Sequence, residues 1–527
     1  MKNHLSISKL GATCAVLALS IASLQAQFLT PQQAYLVPTT GSDYVFTPII
    51  TAGESVQMTG QAPGINFQLV GIPDGMGAVK NAAGNVELYC NHEFNNSQTS
   101  VPQIGGPTYR GAFVSKFILH PTSAGVISAG PAYTKVYQDD TLVGDIQTSL
   151  NPSVRAFGRF CSGSLAGKES GFDRPIFIAN EETGGPNGAF DARGAQAVAV
   201  FDNNGVGEAH ALSYLGFFPW ENSLVMARRD ALTVIMGMED GPNTPDSQLY
   251  MYVGRKVRSS TATVLQKNGL VNGKLYVFRS TSAGMTTEGN FTAQGTSITG
   301  EWVEIPNANN LTDAQLEVAA DALVGGPAFG FVRTEDGSFD KNTPTKDFYF
   351  VSTGSGALNA LGRAYHLRFS STTNPLAPCT LTMLYNGDTV NAGSGDIAFS
   401  PDNIDTNGQR LMIQEDGTSQ SRAAMTARGR DGQIWSFDIP AGSPLTSAAA
   451  LATKKAQASL NPPAPAPNNQ VVTAGIWESS GIIDATSFYG ADTWLANVQA
   501  HGPTTAPAGA TENGQILLMK PAVATQP

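Results

Sequence analysis

The sequence predicts an all-β protein: a single β-propeller of six blades, with loop and short-helix insertions. Three observations point there. The 527 residues include 56 glycines and 31 prolines but only 14% charged residues, a balance that favours turn-rich β structure over helix. Short β-like runs alternate with Gly, Asn, Asp and Pro turns along the whole chain. The runs also share a grammar, in which an apolar strand ends on an acidic residue and a second strand follows.

In chain order, the first segment reads as an address. "MKNHLSISK" is short and basic, "LGATCAVLALSIASL" is apolar, and "LQAQ" offers a cleavage site after Ala26. Residues 1–26 are therefore expected to be a secretory signal peptide, and 27–527 one exported domain, periplasmic or extracellular. The apolar part is too short to be read as a membrane span, and no later segment is long and apolar enough.

The grammar then repeats. "NVELYCNHEF" carries Glu93, "RPIFIANEETGG" carries Glu181 and Glu182, "ALTVIMGMEDG" carries Glu239 and Asp240, and "RLMIQEDG" carries Glu415 and Asp416. "DFYFVSTGSG" has the same shape without the acid. Second strands such as "AQAVAVFD", "SQLYMYVG" and "GQIWSFDI" follow. Hairpins copied over this length suggest radial repetition, which removes exposed sheet edges. Six blades would use roughly 80 residues each. A pair of β-sandwiches is the competing architecture. Two stretches break the pattern. "LTDAQLEVAADALVGG", within about 305–325, has a Thr cap and helical spacing. The Ala-, Pro- and Ser-rich stretch at about 441–472 reads as a surface loop.

Composition excludes several functions. The formal net charge is −11 without basic clusters, so no nucleic acid is expected as a partner. No P-loop and no Gly-x-Ser-x-Gly elbow occurs. Six histidines in total disfavour a His-rich zinc site. Beyond residue 26 only Cys90, Cys161 and Cys379 remain. This odd number allows one disulfide with a special thiol, or three buried free thiols.

Carboxylates are the strongest functional signal. Their oxygens are hard ligands suited to Ca²⁺ and, with other donors, to Fe or Mn. A single Asp-Gly is ordinarily a turn, but turn chemistry does not ask for the preceding Glu. In "CNHEF", His92 stands as ligand, base or plain surface histidine beside Glu93. In "FVRTEDG", Arg333 precedes Glu335 by two residues, so on a strand the two would share a face. A guanidinium there suits a bidentate grip on a phosphoryl oxygen, or a structural ion pair.

The motifs "CNHEF", "FCSGSLAG…FIANEETGG", "LGFFPWENSLV", "MGMEDG…SQLYMYVG", "KLYVFR", "FVRTEDG", "FSPDNIDTNGQRLMIQEDG" and "WLANVQAHG" occur in the order seen in PhoX-like alkaline phosphatases, which the chain resembles over most of residues 85–502. The resemblance implies an exported six-bladed propeller that hydrolyses phosphomonoesters with Ca²⁺ and Fe³⁺ at the channel mouth, small esters as substrates, and a monomer. By motif, Cys161 resembles the iron-ligating cysteine, Glu182 the acid of a Cys-Glu-Glu stretch with Asn180 in place of its cysteine, and Glu221 the glutamate of His-Glu-Asn with Trp220 in place of histidine. Asp240 resembles a calcium-binding acid. Arg333 and Glu335 resemble Arg-Pro-Glu-Asp with Thr334 in place of proline, implying a phosphate clamp and a bridging ligand. The expected metal ligands are thus Glu93, Cys161, Glu182, Glu221, Asp240 and Glu335, with Arg333 and Glu335 catalytic. The alternatives are a catalytically inactive Ca²⁺-binding propeller with an interaction role and a phytase-like or lactonase-type propeller hydrolase.

Overall fold

The structure is a computed structural model that describes residues 27–146, 155–242, 244–391, 396–461, 474–502 and 506–522. The expected signal peptide lies outside these residues. The described chain is mostly β, and nearly all its strand pairs are antiparallel; Lys135–Gln138 runs parallel to Val206–Ala211.

Six short strands organise the molecule: Pro73–Lys80, Phe160–Ala166, Trp220–Val225, Thr334–Phe339, Pro401–Thr406 and Glu478–Asp484. Each touches the next, and the last touches the first. Each is also the edge of a sheet that runs outward. The second strands of these sheets are Val86–His92, Ile176–Glu181, Leu232–Glu239, Asp347–Ser352, Arg410–Glu415 and Trp494–Ala500. Most of these are the apolar runs that the sequence marks. They are not the innermost strands but the next ones out.

Their apolarity follows from this position. A second strand has a neighbouring sheet on both faces, so alternate side chains enter different cores. Phe177 and Ala179 pack in one core while Ile176 and Ile178 pack in the next. Ile235 joins that second core, and Val234, Met236 and Met238 join a third.

Register repeats from sheet to sheet. Pro73 pairs with His92, Phe160 with Glu181, Trp220 with Glu239, Thr334 with Ser352 and Pro401 with Glu415. A bulge follows each pair, which re-aims the inner strand. One residue beyond the second strand, a backbone N–H returns to the carbonyl of the residue before the inner strand: Glu93 to Ile72, Glu182 to Arg159, Asp240 to Pro219, Thr353 to Arg333 and Asp416 to Ser400.

The two ends of the chain close the structure. Tyr44–Thr51 pairs with Asn513–Pro521 and completes the sheet built on Glu478–Asp484. The third and fourth sheets are fused along their outer edges, where Ser297–Ile305 pairs with Cys379–Asn386, giving nine continuous strands.

The first insertion is helical, as its capping signal predicts: Thr312 and Gln315 form a reciprocal cap on helix Asp313–Asp321. The second departs from the expected loop. Thr446 caps helix Ser447–Thr453, and Lys455–Leu460 pairs with Gln433–Asp438. Ala and Ser there fill a capped helix rather than a linker; residues 462–473 lie outside the described ones. Helix Ser419–Ala427, capped by Thr418, was not anticipated. Cys90, Cys161 and Cys379 are all buried free thiols, which decides between the cysteine alternatives.

Candidate metal centre

The register repeat places one chemically active residue on each of five inner strands. Asp74, Cys161, Glu221, Glu335 and Asp402 each follow directly the residue that pairs with the second strand. Glu478, at the start of the sixth inner strand, adds another carboxylate. Second strands deliver Glu93, Glu182, Asp240 and Asp416 to the same end, one residue past each strand.

These side chains meet. Four overlapping groups form: Asp74, Glu93 and Cys161; Cys161, Glu182 and Glu221; Glu221, Glu335 and Asp402; Asp402, Asp416 and Glu478. Within each group the ligand atoms lie within 4.8 Å of one another. Glu93, Cys161, Glu182, Glu221 and Glu335, all expected at the site, are therefore brought together. Asp240 is not in any of these groups. It accepts both sides of the Arg333 fork, at 2.9 Å from Nε and 3.0 Å from Nη2. Arg333 Nη2 also lies 3.0 Å from Glu335 Oε1, an ionic contact without hydrogen-bond geometry.

Sequence reasoning missed Asp74, Asp402, Glu478 and Arg159, and noted Asp416 only as part of the grammar. Asp74 in "PDGMG" and Asp402 in "PDNID" look like ordinary turns. The usable signal was the set of short stretches "PDG", "FCSG", "WENS", "TEDG" and "PDNI", each just upstream of an apolar run. Arg159 resembles Arg333 in placement, two residues before the ring residue. It lies 2.6 Å from both Glu93 and Glu182 through Nη2. The expectation that Arg333 and Glu335 share a strand face is corrected. Arg333 precedes its strand and has a φ of 55°, and it is this left-handed backbone that turns it toward Glu335.

Adjacent acids have different jobs. Glu181 accepts the backbone N–H groups of Gly158, Phe190 and Gln196. Glu415 accepts those of Phe399 and Gln433, the indole of Trp435, and both arms of Arg430. Glu239 accepts the Gln248 N–H. In these three pairs, which end second strands, the first acid ties its sheet together and the second points to the centre; in Glu335-Asp336, on an inner strand, the order is reversed, with Asp336 accepting from Asn222, Gly337 and Ile404. His92 takes the first role: it bonds Gly71 O and Ser115 Oγ at 2.8 and 2.7 Å and is no ligand here.

The electrostatics of the ring are severe. Burial, and after it Glu335 and Asp402, push the Glu221 carboxyl well above its ordinary range. Burial and then Glu478 and Asp416 do the same to Asp402. Burial and then Asp74 and Glu221 hold the Cys161 thiol neutral. Neutral donors steady the ring: Ser162 Oγ gives a hydrogen bond to Glu221 at 2.5 Å, and Asn403 gives one to Ser162 at 2.6 Å. Ser480 and Gln499 bond Asp74 at 2.7 and 2.9 Å.

The residues fit bound cations. Glu221 Oε2, Glu335 Oε1 and Asp402 Oδ1 are buried carboxylate oxygens without a hydrogen bond, and all three belong to one group. Unpaired buried carboxylate oxygens are costly unless protonated or metal-bound. A thiolate beside several carboxylates offers a soft ligand next to hard ones, a donor set that suits a transition metal alongside Ca²⁺.

Fold and site together define a mostly-β protein with a central, buried acid and thiol centre able to hold metal ions. The chain belongs to the PhoX family: the model of that family, alkaline phosphatase PhoX, matches residues 202–466. Among solved structures, it is similar to Pseudomonas fluorescens PhoX in complex with vanadate, a transition state analogue, with 16% identity and a TM-score of 0.58 over 92% of this chain and 97% of that one. Weaker likeness links it to an α-L-arabinofuranosidase of Fusarium graminearum (9% identity, TM-score 0.38, 89% and 97% of the chains). A similar likeness links it to an α-L-arabinanase of Penicillium chrysogenum (8% identity, TM-score 0.38, 90% and 98%). No curated protein matches the chain. No helix among the described residues is long and apolar enough to cross a membrane.

Proposed function

We propose that the protein is an exported, metal-dependent phosphatase acting on small phosphomonoesters, built as a six-bladed propeller whose inner strands carry the site. The observation that carries this reading is the group of Glu221, Glu335 and Asp402, each with a buried oxygen that accepts no hydrogen bond, beside Cys161 and with Arg333 in ionic contact with Glu335. The cyclic contact of six inner strands supports the blade count. Membership of the PhoX family supports the reaction class.

Cys161, Glu182, Glu221, Glu335 and Asp402 would hold the metals, with Asp74, Glu93, Asp416 and Glu478 completing the neighbouring groups. Ca²⁺ and Fe³⁺ follow from the family resemblance and match the mixed donor set. The chemistry such ions supply is polarisation of phosphoryl oxygens and activation of water. The chain's own contribution is positioning. Asp240 holds the Arg333 fork, leaving Nη1 to donate to a phosphoryl oxygen as negative charge builds in an in-line displacement. Ser162 and Asn403 fix Glu221, and burial of the ring limits water to the mouth.

The test is hydrolysis of p-nitrophenyl phosphate by protein loaded with Ca²⁺ and iron, together with elemental analysis. Activity should disappear on chelation and return with the metals. Metal-loaded, folded protein with no phosphatase activity would leave the inactive, cation-binding alternative.

A further inference from the structure

Arg159 and Arg333 are twins in register. Each is the residue immediately before an inner strand, and each accepts, on its carbonyl, the N–H of the residue just past the second strand: Glu182 at 2.8 Å and Thr353 at 3.0 Å. Both have left-handed backbones, with φ of 48° and 55°. An L-residue adopts that region at a cost, and here it turns both side chains away from strand alternation and onto the site's acids. Each bridges two carboxylates. Arg159 holds Glu93 and Glu182, and Arg333 holds Asp240 and Glu335.

The two also flank the same sheet. Arg159 stands before the second inner strand and Arg333 before the fourth, while the third, between them, contributes Glu221. The equivalent residue of that third sheet is Pro219, which has no side-chain donor. Glu182, paired with Arg159, lies near enough to Asp240, paired with Arg333, that the Asp240 charge helps to push the Glu182 carboxyl up. The two arginine–carboxylate pairs are therefore neighbours. On both arginines the carboxylates use Nε and Nη2, and Nη1 has no protein partner among the described residues. The Arg159 side chain is 41% exposed and that of Arg333 21%, so both reach solvent rather than filling the core.

We propose that Arg159 is a second phosphate-gripping residue, so that a phosphoryl group entering the mouth is held between two guanidinium groups. The proposal rests on the phosphatase reading above. Two planar forks, each already oriented by a pair of carboxylates, present donors from two sides to the oxygens of one tetrahedral anion. In the same pose Arg159 selects for a dianionic terminal phosphate over a diester, because the additional negative oxygen is what a second cation rewards.

The experiment is calorimetric titration of the metal-loaded protein with inorganic phosphate, with metal content measured on every sample. Arg159→Met should weaken phosphate binding about 10- to 100-fold, the loss expected for charge-assisted hydrogen bonds to one guanidinium, at unchanged metal content. Arg159→Lys, which keeps charge but not the fork, should lie between wild type and Arg159→Met, and it decides the matter if Arg159→Met does not fold. Wild-type affinity in both Arg159 variants, alongside weakened binding in Arg333→Met, would overturn the second clamp and leave the phosphatase reading standing. Weakened binding accompanied by loss of metal would also overturn it, because Arg159 would then serve only to hold Glu93 and Glu182. A metal-loaded wild type that binds no phosphate would defeat both.

Discussion

Arg333 is fastened to Asp240 by two parallel contacts, Nε to Oδ1 at 2.9 Å and Nη2 to Oδ2 at 3.0 Å. This side-on bidentate pairing adds geometric specificity as well as energy. It gives Asp240 a role other than the calcium ligand that family resemblance suggests, namely holding Arg333 in one orientation. Asp240→Asn keeps the shape and breaks one of the two contacts. The expected outcome is unchanged bound metal, with kcat/KM for p-nitrophenyl phosphate lower by roughly tenfold, the scale on which a misplaced positioning group acts. Loss of metal on elemental analysis would restore Asp240 as a ligand.

Neighbouring acids should give opposite phenotypes. Glu415 is fully enclosed and accepts five hydrogen bonds, two of them from Arg430. Glu415→Ala leaves the Arg430 charge without its main partner and is expected to cost about 3–5 kcal/mol of stability, read as a lower denaturation midpoint. Asp416, one residue on, belongs to the group with Asp402 and Glu478. Asp416→Asn should fold with an unchanged or higher midpoint and bind less metal. Equal stability losses in both variants would contradict the division of labour.

That division explains how much of the molecule was legible. The all-β class, the repeating hairpins and the capped helix at Asp313–Asp321 follow from local patterns: apolar runs, turn residues and a Thr-x-x-Gln cap. The acids after those runs were visible because nothing in turn chemistry requires Glu before Asp. The inner strands were hidden because they are short, are broken by bulges, and begin with Pro-Asp or Thr-Glu-Asp-Gly, which read as turns. Asp74, Asp402 and Glu478 become ring members only once six distant segments are set side by side, a long-range fact that no local window contains. Arg159 was hidden for a related reason: its side chain reaches Glu93 and Glu182 through a left-handed backbone that its sequence does not announce.

Cys161 separates a metal role from a packing role. Its thiol is buried among acids that hold it neutral, so it becomes a ligand only when a cation reverses that balance. Cys161→Ser changes little in volume but replaces a soft donor with a hard one that stays protonated. Iron content should fall at least about tenfold while Ca²⁺ is largely retained, following the preference of thiolate for softer metals. Retention of iron, measured by elemental analysis after dialysis, would show that the carboxylates alone hold it.

His92 supplies a pH test that does not depend on metals for its sign. Its ring is fully buried, stacked on Phe113 at 4.6 Å, and bonded to Gly71 O and Ser115 Oγ. Nδ1 donates to the carbonyl, so Nε2 accepts from the serine, and the ring is neutral in the fold. Burial lowers its pKa to about 4, against an ordinary value of 6.5. A folded pKa below the unfolded one means that the unfolded chain takes up the proton first. The contribution is therefore complete above pH 6.5 and is lost as the pH falls toward 4. At about pH 4.5 the loss amounts to roughly 2–3 kcal/mol. His92→Gln, which retains a donor and an acceptor but no titration, should be less stable than wild type at neutral pH and lose less on acidification. Urea unfolding of both proteins at neutral and acid pH measures the difference, and parallel pH profiles would exclude His92 as its source.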